Sequence, residues 1–198
     1  MKRIILLLSL SIFVSGLNAQ VGKKYIDLIK AYQKNYVDSH EVVKGKDRKY
    51  FRFFAINQSN QVNCRFEKID DTIGFTMKTS AGTEKPFFRY GRLFFSLNGK
   101  ACQLVVYKSG GPIKDPKYKD YLFIPFYDET TGDESYGSGR YIDIVTSDIV
   151  ANKLLLDFNK AYNPYCAYTT GFKCPIPPRE NQLAVAVRAG EMNFAKLH

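Results

Sequence analysis

The stretch RLFFSLNGKACQLVVY, residues 92–107, decides the fold of this chain. Its centre, Asn98-Gly99, strongly favours a two-residue turn between antiparallel strands, because both turn positions need a positive φ. The cross-strand pairs that follow are Leu97–Lys100, Phe95–Cys102 and Leu93–Leu104. Alternation then puts only apolar side chains on one face, namely Leu93, Phe95, Leu97, Cys102, Leu104 and Val106. Turn and alternation agree, so the stretch predicts a β-hairpin with a core-facing side.

Segments of the same kind recur on both sides of the hairpin. Each is rich in aromatic or β-branched residues, and clusters of Gly, Asn, Asp, Ser or Pro separate most of them. With the two hairpin strands, the ten candidates are YFRFFAI (50–56), QVNCRFE (61–67), IGFTMKT (73–79), PFFRY (86–90), RLFFSL (92–97), KACQLVVY (100–107), YLFIPF (121–126), RYIDIVT (140–146), KLLLDF (153–158) and QLAVAVR (182–188). Their spacing predicts a single, mainly β domain: an antiparallel β-sandwich or barrel.

The N-terminal region differs from this pattern. MKR followed by IILLLSLSIFVSG has the layout of a secretory signal peptide, with cleavage expected after Ala19, so we expect export to the periplasm or the outside. The apolar run is too short to span a membrane comfortably, and no membrane span is predicted after cleavage. Residues 22–38 have helical periodicity and predict one amphipathic helix. The predicted organisation is therefore a signal peptide (1–19), a helix and connector (20–47), and a β domain (48–198) with a long ordered loop at 158–180.

The net charge of +10 falls to +8 once Lys2 and Arg3 are removed with the signal peptide. Part of it lies on one side of the predicted helix, at Lys23, Lys24, Lys30 and Lys34. The ordinary interpretation is a solvated helix face, and nucleic acid is not an expected partner. A structural protein that binds an anionic partner through this helix is a further alternative. Nothing in the sequence fixes an oligomeric state.

Several kinds of chemistry lack the residues they need. The chain has only two histidines, His40 and His198, so a Ser-His-Asp or Cys-His catalytic arrangement is disfavoured. No phosphate-binding loop or dinucleotide-binding motif is present, and no cofactor is expected. The acidic stretch DETTGDESYGSGRY (128–141) lacks the ligand spacing of a calcium loop, and no metal site is predicted.

Four cysteines in an exported chain allow two disulfides. Cys166 and Cys174 are too far apart for a zinc knuckle, and the redox spacing C-x-x-C is absent. We therefore expect a Cys166–Cys174 disulfide that shapes the loop. Alternation points Cys64 and Cys102 into the core as small apolar residues. A Cys64–Cys102 disulfide is a second interpretation that the sequence leaves open.

Three long blocks carry a family resemblance: FIPFYDETTGDESYGSGRYID, LDFNKAYNPYCAYTTGFKCPIPPREN and AVRAGE. They resemble the bacterial family called domain of unknown function 1684, and weaker similarity extends the match over about residues 48–191. Cys166 and Cys174 lie inside these blocks, whereas Cys64 and Cys102 lie outside them. The resemblance implies no activity, because the family is named for lacking one.

Two polar loops, 128–141 and 157–181, provide the candidate site. Amides, phenols and charged groups lie close together there, a mixture suited to a small polar or anionic ligand. The predicted contacts are Asp128, Thr130, Tyr136, Arg140, Tyr141, Asp157, Asn159, Tyr162, Asn163, Tyr168, Glu180 and Asn181. The alternative enzyme is a hydrolase that uses Asp157 or Glu180, with Arg140 as electrostatic stabiliser. The competing structural interpretation pairs Arg140 with Asp157 and lets the Asp and Asn side chains bond their own loop.

Overall fold

The Asn98-Gly99 turn joins the two central strands, as the sequence predicts. Both residues have positive φ, 51° and 76°. The observed register pairs Leu97 with Lys100, and it continues through Phe95–Cys102 and Leu93–Leu104. The predicted apolar face of this hairpin packs in the main core.

The computed structural model describes residues 22–112 and 115–196. The predicted signal peptide lies outside them. The described elements are α1 (22–39), β1 (Gln61–Lys68), β2 (Phe75–Lys78), β3 (Glu84–Leu97), β4 (Lys100–Ser109), β5 (Tyr121–Phe126), β6 (Arg140–Val145) and β7 (Lys153–Asp157), with short 3-10 turns between several of them. All strands form one antiparallel sheet in the order β6-β5-β4-β3-β1-β7, with β2 paired to β3. The mainly antiparallel β class with one α-helix near the N-terminus is confirmed, and the sheet is a curled half-barrel.

Strand β3 joins two predicted strands, PFFRY and RLFFSL. The ladder with β4 shifts register between Arg89 and Gly91, so Tyr90 forms a β-bulge rather than a strand end. A Cβ atom on Gly91 would lie 2.2 Å from the ring of Phe66. Glycine is therefore required where β1 and β3 approach each other.

Two predicted strands do not pair in the sheet. Segment 50–56 begins in a 3-10 turn, and its Phe53 makes only an isolated bridge to Glu191. Segment 182–188 is extended, and Leu183, Val185 and Val187 are buried as its alternation predicts. Its backbone bonds go to the turn after β5, for example from Leu183 N–H to the Tyr127 carbonyl. Alternation correctly predicted which side chains are buried, but strand pairing also needs a sheet edge, and this segment fills the inside of the half-barrel instead.

The sheet has two covered faces. The main core lies inside the half-barrel and includes Leu93, Leu104, Ile124 and Leu156. A smaller aromatic cluster lies on the other face, where Phe87 stacks on Phe123 and Tyr141 packs edge-on against Phe123. The helix α1 and the segment after β7 cover part of this second face.

The disulfide Cys166–Cys174 is present, with Cα atoms 6.4 Å apart. Cys64 and Cys102 are unpaired. They belong to β1 and β4, and β3 runs between these two strands. Two strand spacings separate them by about 9–10 Å, beyond the reach of a disulfide. The structure thus settles the alternative that the sequence left open.

Candidate ligand-binding site

A cavity of about 590 Å³ lies between α1, the aromatic face of the sheet and the segment after β7. Tyrosines dominate its wall: Tyr32, Tyr36, Tyr118, Tyr121, Tyr141, Tyr162 and Tyr165. The other lining residues include Ser39, His40, Glu41, Lys85, Asp143, Phe172 and Lys173. Phenols combine a flat apolar face with a hydroxyl group, so this wall suits a small molecule with both apolar and polar parts.

The helix wall follows from helical periodicity. Tyr32, Tyr36 and His40 are four residues apart, which places Tyr32 and Tyr36 one turn apart on the same face of α1. Tyr25 lies two helical turns before Tyr32, and its hydroxyl group donates to both carboxylate oxygens of Asp157 at 2.9 and 3.0 Å. Ile29 has no exposed surface. These contacts fix the helix against the segment after β7 and hold its tyrosines at the cavity.

The sheet wall follows from strand alternation. On β6, Ile142 and Ile144 pack with the main core, and Tyr141 and Asp143 point to the opposite face. Asp143 remains open to the cavity, but it accepts hydrogen bonds from Tyr121 and Tyr162. The surrounding protein desolvates this carboxyl group and raises its pKa, which the two phenol donors partly offset.

Asp143 lies at the centre of the tyrosines. Burial is the largest cause of the raised pKa of Tyr121, Tyr141 and Tyr162, and the negative charge of Asp143 raises each of them further. The same two causes act on Tyr32, whose pKa rises to about 12. All these phenols are therefore neutral hydrogen-bond donors at physiological pH.

Lys85 on β3 and Lys173 on the disulfide loop supply positive charge to the cavity. Partial burial lowers the pKa of Lys85, and the nearby charge of Lys173 lowers it further. Within residues 22–112 and 115–196, neither lysine has an ion-pair partner. β4 and β5 lie between β3 and β6, so this basic side is separated from Asp143 across the sheet.

Arg140 does not reach the cavity, which corrects the expectation that it contacts a ligand. Its side chain is fully buried and donates to Asp128 at 2.7 Å and to the backbone carbonyls of Val187, Ala189 and Glu191. Asp128 also accepts from the backbone N–H of Thr130. The pair is structural because it fixes the 182–191 segment inside the half-barrel. Its carboxylate partner is Asp128 rather than Asp157.

The other predicted contacts divide among separate structural networks. Asp157 and Asn159 bind Tyr25 of α1, and Asn159 also binds the backbone of Asn57. Glu180 accepts hydrogen bonds from Arg89 and Tyr107. Asp157 and Glu180 thus have different structural partners, and neither lines the cavity, so the geometry gives no support to an acid–base pair.

A third network surrounds Glu191, which the sequence analysis did not single out. Its buried carboxyl group accepts from the phenols of Tyr168 and Tyr36 and from the backbone N–H of Asn163. Burial raises its pKa to about 7, and these hydrogen bonds lower it only partly. Tyr36 also lines the cavity, so this network supports one of its walls. Tyr136 packs in a small aromatic cluster beside Tyr168.

Among the predicted contacts, Tyr141 and Tyr162 line the cavity, and the disulfide residue Cys174 lies beside them. The missed residues include Tyr32, Tyr36, Tyr121, Asp143, Lys85 and Lys173. Two signals could have identified three of them, Tyr32, Tyr36 and Asp143. Tyr32 and Tyr36 have helical spacing, and Asp143 is an acid on an otherwise aromatic strand face, in register with Phe123. The positions of Lys85 and Lys173 depend on tertiary packing and had no local signal.

Two features are absent from the described residues. Within 22–112 and 115–196, no group of three or more His, Cys, Asp or Glu side chains could hold a metal ion. In the same part of the chain, no helix has both the length and the apolar character needed to cross a membrane.

The fold and cavity define a small curled-sheet β protein with a helix against one face. The family described as protein of unknown function (DUF1684) matches residues 48–192, and the chain belongs to this family. No curated protein matches the chain.

One similar solved structure is an uncharacterised protein of Haloarcula marismortui, determined by solution NMR. It is 27% identical to this chain and superposes with a TM-score of 0.63. The match covers 86% of this chain and 97% of the Haloarcula marismortui chain. The similarity supports the fold, and its description as uncharacterised carries no activity to transfer.

Proposed function

We propose that this chain is a binding protein for a small polar molecule with an anionic group, held in the tyrosine-lined cavity. The observation that carries the proposal is the cavity itself, about 590 Å³ with seven tyrosines in its wall. This volume lies in the range of pockets that enclose small ligands. Tyrosine rings offer flat surface to a carbon skeleton, and their hydroxyl groups can bond its polar substituents.

Lys85 and Lys173 support the anionic part of the proposal. They lie close enough for the charge of Lys173 to lower the pKa of Lys85. Two like charges held together at a partly desolvated surface are stabilised by an anion placed between them. A carboxylate or phosphate of the ligand supplies that charge.

Export is part of the proposal. The N-terminal sequence supports it, and the Cys166–Cys174 disulfide is the kind of bond that persists in oxidising compartments. The disulfide also closes the loop that presents Phe172 and Lys173 to the cavity. An exported binding protein therefore uses a covalent loop closure to keep one wall of its site in place.

The hydrolase alternative has weaker support. Asp157, Glu180 and Arg140 were its residues, and each is engaged by a separate set of protein partners outside the cavity lining. The cavity lining does contain two carboxyl groups, Asp143 and Glu41, but tyrosines donate to both of them. Binding is the function that this geometry supports better.

A thermal-shift screen tests the proposal. The probes are hexanoate, glucuronate and phenyl phosphate, each compared with a neutral analogue: hexanamide, glucose and phenol. We expect at least one anion to raise the melting temperature in proportion to the logarithm of its concentration, with a smaller effect of its neutral analogue.

The control is a pair of variants on the same helix. Ser39→Trp fills the cavity from its rim, whereas Asn35→Trp places the same ring on an exposed position of α1 outside the lining. The shift should disappear in Ser39→Trp and persist in Asn35→Trp. No shift with any probe, or equal shifts in both variants, contradicts the proposed function.

A further inference from the structure

Asp143 has no counter-cation among the residues that the structure describes. Among the described residues, no lysine, arginine or histidine forms an ion pair with it, and only Tyr121 and Tyr162 hydrogen-bond to it. Lys160, on the segment after β7, lies instead against the ring of Tyr32 at 5.6 Å. A partly desolvated carboxylate without an ion-pair partner is costly, and a bound cation reduces that cost.

The rings around Asp143 form an aromatic cage. Tyr141 and Tyr162 meet at 90° with centroids 5.8 Å apart, and Tyr36 approaches Tyr162 at 6.0 Å. Tyr118 and Tyr121 meet at 85° and close another side. Faces of tyrosine rings attract cations, and rings at steep angles can surround an ammonium group from several directions.

From these two observations we infer that the Asp143 end of the cavity binds an ammonium group, so that the ligand carries a positive and a negative charge at opposite ends. This inference rests on the proposed function, which assigns the anionic group to Lys85 and Lys173. β3, which carries Lys85, and β6, which carries Asp143, are three strand spacings apart, about 14 Å along the sheet. The ligand class is therefore a zwitterion with separated charges, such as an ω-amino acid.

Two groups from the other elements make the cage selective for a cation over a neutral donor. Glu41 at the end of α1 adds a second negative charge to the lining, and Tyr165 donates to it at 3.0 Å. His40, also in the lining, has its pKa lowered to about 4, mainly by burial, and is neutral at physiological pH. His40 therefore adds no positive charge that would oppose an ammonium group at this end.

Calorimetric titration of the full chain with 6-aminohexanoate and hexanoate tests the inference. The two probes share the acid and differ by the ammonium group. We expect the wild type to bind 6-aminohexanoate about tenfold more tightly than hexanoate, which corresponds to about 1.4 kcal/mol. Asp143→Asn keeps an acceptor for the two phenols and removes the charge, so it should abolish this preference.

Two further variants separate the possible failures. Asp133→Asn changes an exposed acid outside the cavity and should keep the tenfold ratio. Lys85→Gln combined with Lys173→Gln should weaken both acids while keeping the ratio. Equal binding of the two acids by the wild type, or a preference that survives in Asp143→Asn, overturns the inference but leaves the proposed function standing. Absence of binding by 6-aminohexanoate, hexanoate and hexylamine also overturns it, and the thermal-shift screen decides the proposed function independently.

Discussion

The guanidinium of Arg140 donates to Oδ2 of Asp128 at 2.7 Å, and neither side chain exposes any surface. This pair joins the start of β6 to the turn after β5 and holds three carbonyls of the 182–191 segment. Asp128→Asn leaves a buried guanidinium without its counter-charge. We expect the free energy of unfolding to fall by about 3–5 kcal/mol in urea denaturation.

The ion pair between Arg188 and Glu134 is the matched control for this effect. It joins the same turn to the 182–191 segment but is partly exposed, with 64% of the Arg188 side chain and 30% of the Glu134 side chain accessible. Glu134→Gln should cost at most about 1 kcal/mol. A loss in Asp128→Asn as small as in this control would show that the buried pair contributes little to the fold.

Asn181 substitutes for missing strand pairing between β4 and β5. Its side chain accepts from Val105 N–H at 2.7 Å and donates to the carbonyls of Val105 and Pro125. Pro125 has no N–H to offer to β4, so the ladder cannot continue at this point. Asn181→Ala leaves these buried backbone groups unsatisfied, and we expect a loss of about 2–5 kcal/mol in stability.

Asn181→Asp provides a comparison of nearly equal volume. The substitution puts a second acceptor oxygen against the carbonyls of Val105 and Pro125. This variant should therefore be destabilised at least as strongly as Asn181→Ala at neutral pH. Replacement of the half-buried Asn193, whose amide donates to the Asp133 carbonyl at the surface, should be nearly neutral. Stability of Asn181→Asp equal to the wild type in urea denaturation would refute this account of the β4–β5 junction.

The disulfide should stabilise the fold by constraining the unfolded chain. Closing the short loop between Cys166 and Cys174 is worth about 2–3 kcal/mol in the chain-entropy model. The double variant Cys166→Ser/Cys174→Ser should therefore lose this amount, and dithiothreitol should no longer affect its urea midpoint. Cys102→Ser, at an unpaired half-buried cysteine, should keep the sensitivity of the wild type to dithiothreitol.

Glu191 gives the protein a pH-dependent stability. Burial raises its pKa from 4.5 to about 7, so between these values the folded state keeps a proton that the unfolded state has lost. The contribution of this group to stability therefore decreases as pH rises from about 4.5 to about 7, by roughly 3 kcal/mol in total. Glu191→Gln removes this titration.

The measurement is the difference in unfolding free energy between wild type and Glu191→Gln across this pH range. Other groups with shifted pKa values, such as His40 and Asp143, act on both proteins and cancel in the difference. The variant should gain relative to the wild type as pH rises from 5 to 8. A difference that stays constant with pH would mean that Glu191 does not titrate in this range.

The sequence predicted what local rules control. Asn98-Gly99 specified the central register, and alternation identified the buried side chains on both sides of it. Pairing of segment 182–188 could not be predicted, because its extended conformation is local but the position of a sheet edge is not. Arg140 was misassigned for a related reason: charged side chains are mostly exposed, and only the assembled half-barrel brings three carbonyls and Asp128 around it.

The site was predicted only in part. Of the predicted contacts, Tyr141 and Tyr162 meet at the cavity, and Cys174 lies beside them. The helix side was missed because the periodicity of residues 22–38, which includes Tyr32 and Tyr36, was interpreted only as a sign of an amphipathic helix. Lys85 was missed because its strand joins the site only after β3, β4 and β5 curl together.

Tyrosine-specific NMR tests the central claim most directly. With carbon-13 in the tyrosine rings, the small acids of the thermal-shift screen and 6-aminohexanoate are titrated into the full chain. The account predicts that a binding probe shifts the resonances of Tyr36, Tyr121, Tyr141 and Tyr162, while Tyr50 and Tyr90, outside the cavity, stay unchanged. Shifts centred on the outside tyrosines, or no shift of the cavity tyrosines with any probe, would contradict it.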